Sequence, residues 1–292
     1  MVKAIVLRAA GINCDVETQH ALELSGAAAE RIHVNRIIEK PDLLEEFQIL
    51  VIPGGFSYGD DVAAGKILAN QIIHHLADRL NEFVESGKIV LGICNGFQVL
   101  VKTGILGKVE PNGKQQLTIT NNDSGKFEDR WVYLEPSSKK CIFIEQGRRI
   151  YLPIAHGEGK VVFENDDVFE KIKSDDRIAF RYVDENGNFG PFPINPNGST
   201  DSIAGLCDPT GRVMGLMPHP ERFVRFTQHP HWTRLSVKGE TLLNGGKDKS
   251  QAPLGTRHQR CLTAVEGGLS LTGQADGRTI FDNAVKYARK SL

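Results

Sequence analysis

The chain opens on Lys3–Leu7, a lysine followed by four apolar residues, whose length and β-branched content predict a buried strand. Asp15–Leu24 has helical spacing and stops before Gly26, a residue suited to a helix C-terminus. A second apolar run, Phe47–Ile52, breaks off at Pro53-Gly54-Gly55. Across Lys66–Ser86 the residues Ile72, Ile73, Leu76, Leu80, Phe83 and Val84 share one helical face, and Gly87 closes the helix. Lys88–Ile93 follows as another strand of the fully buried type. Strands alternating with helices in this way predict a parallel sheet covered on both sides.

After Leu106 the pattern changes to short extended runs: 117–120, 131–134, 150–155, 161–163, 178–183, 203–206 and 213–217. Turn clusters such as Asn186-Gly187-Asn188 and Asn195-Pro196-Asn197-Gly198 separate them. Antiparallel strands should therefore dominate the second half of what reads as a single domain, 1–292. Residues 236–276 are rich in Gly, Lys, Gln and Thr and hold no sustained period, which marks a surface insertion. An amphipathic C-terminal helix is expected over 279–290.

Composition narrows the possibilities. The 292 residues are 40% hydrophobic and 24% charged with a formal net charge of -1, ordinary for a soluble globular protein. That balance argues against a nucleic-acid or membrane-surface partner. The apolar run near the start is too short for a secretory signal or a membrane span. Five cysteines (Cys14, Cys94, Cys141, Cys207 and Cys261), odd in number and without CxxC spacing, fit neither a disulfide framework nor a zinc site, and they point to a reducing cytoplasm.

The strongest chemical signal is Gly92-Ile93-Cys94-Asn95-Gly96, entered by a strand and left by the helical pattern Phe97–Lys102. This strand–turn–helix order presents a nucleophile on a strained backbone, with glycines where a Cβ would collide. A sulfur at a helix N-terminus is also favoured as thiolate. Read alone, the motif fits a buried structural cysteine equally well. A nucleophile needs a base, and His219 in Pro218-His219-Pro220-Glu221 is the best framed of the nine histidines. In an extended segment Glu221 falls on the same face as His219 and can orient it. By itself this motif reads more readily as a proline-rich strand end; beside the Cys94 turn the preference reverses. Pro53–Asp61 ends another predicted strand, and Gly54 and Gly55 could offer N–H groups to an oxyanion. It lacks phosphate-loop spacing. His229 and His231 have His-x-His spacing but no third ligand, so no metal is assigned.

Together, Pro53–Gly59, Gly92–Gln98 and Pro218–Arg222 resemble the class I, triad-type glutamine amidotransferases. Gly11–Asp15, Ile154–Gly159 and Asn195–Ser199 narrow the resemblance to the glutaminase components of phosphoribosylformylglycinamidine synthases, in the same order over about residues 1–226. The resemblance implies a flavodoxin-like α/β fold, with a mostly parallel central sheet flanked by helices and additional antiparallel strands in the second half. It implies catalysis by Cys94, His219 and Glu221, with an oxyanion held by backbone N–H groups of Gly55 and Asn95. Gly54, Gln98, His156, Gly157 and Glu158 match the glutamine-pocket positions. It further implies no cofactor in this chain. ATP and magnesium are then used by a large synthetase subunit that receives the ammonia and acts on formylglycinamide ribonucleotide, and a small bridging subunit joins the complex. Relatives of the small type end soon after the position of Arg225–Thr227, so the 236–276 stretch departs from the pattern.

Two other readings compete. The cysteine peptidases and chaperone-like proteins of similar fold place a histidine directly after the cysteine, where this chain has Asn95. A non-catalytic interaction subunit would not need Cys94, His219 and Glu221 all retained.

Overall fold

The computed structural model describes residues 1–109, 113–234 and 275–292, together with the backbone of 264–265 and 268–269. Among the described residues the strands are β1 Lys3–Arg8, β2 Ala28–His33, β3 Ile49–Ile52, β4 Ile89–Ile93, β5 Leu117–Asn121, β6 Glu128–Pro136, β7 Ile150–His156, β8 Glu158–Phe163, β9 Ile178–Val183, β10 Ile203–Cys207 and β11 Val213–Leu216, with a short antiparallel pair, β12 Ala264–Val265 and β13 Gly268–Leu269. The α-helices that lie wholly within the described residues are α1 Asp15–Leu24, α2 Val34–Glu39, α3 Lys66–His75, α4 Ala77–Glu85, α5 Asn95–Lys102, α6 Asp166–Ser174 and α7 Asp276–Ser291.

Nine strands form one sheet in the order β2-β1-β3-β4-β11-β10-β9-β6-β7. The strands from β2 to β11 run parallel, and from β11 onward each neighbour is antiparallel. Strands β5 and β8 pair antiparallel as a separate ribbon. Every residue of β3 and β4 is buried, so both faces of the sheet are covered at its centre. Each Ile, Leu or Val buried there contributes roughly 1.5–3 kcal/mol of hydrophobic stabilisation. This is the expected α/β fold, a mostly parallel sheet with antiparallel strands added by the second half.

The predicted helix over 66–86 is two helices. Leu76 lies between α3 and α4 with φ -132° and ψ 4°, outside helical geometry. The break keeps Leu76, Leu80 and Phe83 in the core and turns Ile73 out, leaving it 40% exposed. Burial of the second apolar cluster thus outweighs helical continuity. The C-terminal helix begins earlier than the expected 279, because Asp276 accepts the Tyr151 N–H and an Arg148 N–H, at 2.9 and 3.0 Å. Its first turn lies directly behind the Pro220–Phe223 segment. The Gly277 N–H donates to the Phe223 carbonyl at 3.0 Å, and a Cβ at Gly277 would meet the Pro220 carbonyl oxygen at 2.0 Å. Apart from its last two residues and four backbone positions, the 236–276 segment lies outside the described residues, as does Cys261. No helix among the described residues is long and apolar enough to cross a membrane.

Candidate active site

The topology sets the site. Strands β4 and β11 are parallel neighbours with Ile93 opposite Leu216, so the residues leaving their carboxyl ends, Cys94 and His219, emerge side by side. Cys94 has φ 50° and ψ -107°, a strained backbone held by its N–H donating to the Leu216 carbonyl at 2.8 Å. The two glycines of the motif explain each other. A Cβ at Gly92 would lie 2.6 Å from the Gly96 carbonyl oxygen, which is closer than any real Cβ contact. Cys94 is 5% exposed and its Sγ lies 3.7 Å from the Ala155 carbonyl oxygen.

His219 Nδ1 is 2.6 Å from Glu221 Oε1, with both residues 1% exposed. The pairing is achieved differently from the expected extended segment. His219 has φ -104° and ψ 89°, and Pro220–Arg222 is a single tight 3-10 turn that folds the carboxylate back onto the ring. The His219 N–H donates to the Pro153 carbonyl at 2.8 Å, anchoring the ring to β7. Burial works to strip this imidazole of its proton. The Glu221 carboxylate and the Cys94 sulfur outweigh that effect and hold the ring well above its ordinary value. Nε2 carries no hydrogen bond.

Gly54 and Gly55 close the near side. A Cβ at Gly54 would fall 2.7 Å from His219 Cε1, so only glycine lets the loop lie against the ring. Gly55 has φ +144° and lies against the Gly11–Asn13 backbone. No hydrogen bond among the described residues takes the N–H of Gly55 or of Asn95, and both remain available to an anion. The Asn95 side chain is committed elsewhere. Its Oδ1 accepts the Ser57 N–H at 3.2 Å, and its Nδ2 faces Asp60 Oδ1 at 3.1 Å and Gln98 Oε1 at 3.0 Å. Gln98 Nε2 in turn donates to the Glu158 carbonyl at 2.5 Å.

The corner at Gly157, where the chain passes from β7 to β8 and so from the main sheet to the β5–β8 ribbon, forms the opposite wall. The Glu158 carboxylate accepts the Ala64 N–H, each oxygen at 3.4 Å, so this side chain braces the loop beyond Gly55. His156 is buried, its Nδ1 3.1 Å from Asn122 Oδ1 and its Nε2 without a partner. Burial and the nearby His219 charge push the His156 ring down to about 3, so it is neutral in the folded chain. The Gly157 carbonyl accepts the Asn122 N–H at 2.9 Å. Sequence reasoning missed this support. Asn122, Asn197 and Ser199 are buried and bond the backbone of the β7–β8 corner, with Asn197 Nδ2 donating to the Gly159 carbonyl at 2.8 Å and the Val161 N–H donating to Ser199 Oγ at 3.0 Å. The Asn195–Ser199 motif was visible in the chain, but its partner was not.

Cys14 was also missed. Its Sγ, a His219 ring nitrogen and a Glu221 oxygen lie within 4.8 Å of one another, donor types that suit a thiophilic metal. The Arg222 guanidinium donates to that Sγ at 3.2 Å, and a fixed positive charge there opposes a cation. We therefore read the cluster as part of the triad's surroundings.

Residues 1–250 match the family described as the CobB/CobQ-like glutamine amidotransferase domain. The phosphoribosylformylglycinamidine synthase subunit PurQ of Dehalococcoides mccartyi is 43% identical over 291 residues, covering 99% of this chain and 98% of that protein. The protein of the same description from Archaeoglobus fulgidus is 42% identical over 236 residues, 76% of this chain and 87% of its own. Among solved structures, that of PurLQS from Thermotoga maritima contains a chain with a TM-score of 0.64 and 29% identity, matched over 98% of both chains.

Proposed function

This chain belongs to the CobB/CobQ-like glutamine amidotransferases, as a glutaminase subunit of phosphoribosylformylglycinamidine synthase, and we propose that Cys94, His219 and Glu221 carry its reaction. The subunit hydrolyses glutamine to glutamate and ammonia in purine biosynthesis. A partner synthetase subunit consumes the ammonia in converting formylglycinamide ribonucleotide to formylglycinamidine ribonucleotide.

In the proposed sequence the Cys94 sulfur attacks the side-chain amide carbon of glutamine. The amide oxygen takes up the charge and is met by the N–H groups of Gly55 and Asn95. His219 gives its proton to the departing nitrogen, ammonia leaves, and a γ-glutamyl thioester remains on Cys94. His219 then takes a proton from water, the resulting hydroxide attacks the thioester, and glutamate is released as the thiol is restored. Glu221 fixes the ring's orientation and supports its charge throughout. Gly54 lets the loop lie against that ring. Gln98, His156, Gly157 and Glu158 shape the glutamine pocket, chiefly through the backbone positions they hold.

The observation that carries this reading is the strained Cys94 beside a buried imidazole whose other nitrogen is 2.6 Å from Glu221. The chain itself takes no cofactor in this scheme; ATP and magnesium serve the synthetase. A small bridging subunit completes the complex, as the PurLQS name of the similar Thermotoga maritima structure suggests. A thiol that must stay reduced suits the cytoplasm.

Cys94→Ala in the complex assembled with the synthetase tests the reading. Glutamine-dependent synthesis should vanish while synthesis from added ammonia persists. Continued use of glutamine by that variant would remove Cys94 as nucleophile.

A further inference from the structure

Two motif residues remain without a task in the proposed chemistry, and the fold brings them together. Cys14 caps the start of α1 and Arg222 ends the turn that carries Glu221. Arg222 Nη2 donates to Cys14 Sγ at 3.2 Å, while Arg222 Nε stands 4.0 Å from Glu221 Oε1 and equally 4.0 Å from Glu17 Oε1 on α1. Cys14 is fully buried and doubly fastened. Its N–H donates to the Gly54 carbonyl at 3.3 Å, and its carbonyl accepts Thr18 Oγ1 at 2.6 Å. Glu221 uses one oxygen on His219, and Oε2 is buried with no hydrogen bond.

That arrangement is unstable to an obvious competitor. A guanidinium within reach of a buried carboxylate forms a charge-assisted pair, which is stronger than a hydrogen bond to a neutral sulfur. Such a pair, made through either oxygen, would offset the Glu221 charge and weaken its hold on the His219 proton. Burial keeps the Cys14 thiol protonated, with its pKa above the ordinary value, so it receives the arginine as a neutral acceptor without adding a second buried anion. The thiol also donates to Asn13 Oδ1 at 3.4 Å, and it lies beside the His219 ring, whose protonated form it favours.

We propose that Cys14 is a positioning residue of the triad, which engages the Arg222 guanidinium and holds it off the Glu221 carboxylate so that the carboxylate serves His219. This rests on the proposed Cys94–His219–Glu221 reaction. It predicts that losing the sulfur lets Arg222 close on Glu221 and weakens the support of the imidazolium. A ring so weakened loses its proton at lower pH.

The test measures kcat/KM for glutamine against pH in the chain assembled with its synthetase. Cys14→Ala should move the basic limb down by roughly 1 pH unit, with about a tenfold loss on the alkaline side. Cys14→Ser should leave the limb in place, because its hydroxyl also accepts from Arg222. Arg222→Met in the Cys14→Ala background should return the limb to its wild-type position. Should Cys14→Ala fail to fold, Cys14→Val supplies a larger apolar side chain without the acceptor, and the same shift is expected. A limb that stays put in these variants, or one that Arg222→Met does not restore, overturns the inference, since a mere packing role lowers stability without moving the limb. Labelling of wild-type Cys94 by a diazoketone analogue of glutamine separates the two claims. Absence of labelling removes the underlying reaction, whereas labelling with an unmoved limb removes only the role of Cys14.

Discussion

Gly96 and Ile52 are in such close contact that a Cβ on Gly96 would stand 1.8 Å from the Ile52 carbonyl oxygen. The first turn of α5 therefore rests on the end of β3, and this contact positions the Cys94 backbone between two strand ends. Gly96→Ala must push the helix off the sheet. The expected cost is about 3 kcal/mol or more, at the upper end of overpacking effects. It should be read as a lower urea midpoint with little change in slope. An unchanged midpoint would mean that the turn is not packed against β3.

The His219–Glu221 pair makes an ordered set of kinetic predictions. His219→Ala should abolish glutamine hydrolysis as Cys94→Ala does, and Glu221→Gln should cost less, by on the order of ten- to a hundredfold. The sign of the pH effect follows from the causes. Burial lowers the affinity of the ring for its proton, and the Glu221 and Cys94 charges raise it above the ordinary value. In the wild type the imidazolium is therefore retained as pH rises and lost only above the ordinary range. Taking away the Glu221 charge leaves burial less opposed, so the basic limb of kcat/KM must move to lower pH. A limb that moves up, or not at all, would show that Glu221 does not set the charge of this ring.

Much of this site was legible in the chain because its decisive parts are local. The glycine spacing around Cys94 states a steric need within five residues, and His219 and Glu221 are joined by one turn. Where the sequence was silent, the cause is specific. Strand β2 buries only Ile32, since it lies at the sheet edge, and an edge strand carries no continuous apolar run. Helix α6 is short, yet its Asn165 cap, which accepts the Val168 N–H at 3.0 Å, was a readable start signal. The contact of Cys14 with Arg222 joins residues 208 positions apart, and no pattern along one chain encodes it. Leu76 breaks a helix without proline or glycine, because the break is set by what it packs against.

Gln98 and Glu158 should separate in their effects although both are proposed to shape the glutamine site. Gln98 Oε1 faces Asn95 Nδ2 while its Nε2 holds the start of β8 through the Glu158 carbonyl. Removing it frees Asn95, whose N–H is the proposed oxyanion donor, as well as the segment after β7. Gln98→Ala should lower kcat and raise the KM for glutamine, with a combined loss in kcat/KM on the order of a hundredfold. Glu158→Ala keeps its backbone carbonyl and gives up only the long bonds to the Ala64 N–H. Its loss should be about tenfold or smaller and confined mainly to KM. Steady-state kinetics of the assembled complex decides this. A larger loss from Glu158→Ala would mean that its carboxylate binds glutamine directly.

His156 makes acid stability a test of how the β7–β8 corner is packed. In the unfolded chain its imidazole titrates near 6.5, and in the fold burial and the His219 charge bring it to about 3. Below 6.5 the unfolded chain gains a proton that the folded chain refuses, so stability falls with pH. The contribution is complete above 6.5 and lost progressively down to about 3. Between pH 7 and about pH 4.5 this residue alone should cost roughly 2–3 kcal/mol. His156→Gln cannot take up that proton, so its urea midpoint should fall less over the same interval, even if the variant starts lower at pH 7. Equal falls for the two proteins would mean that His156 is charged or solvated, and the packing of its ring against Gly159, where a Cβ would come within 2.3 Å, would have to be wrong.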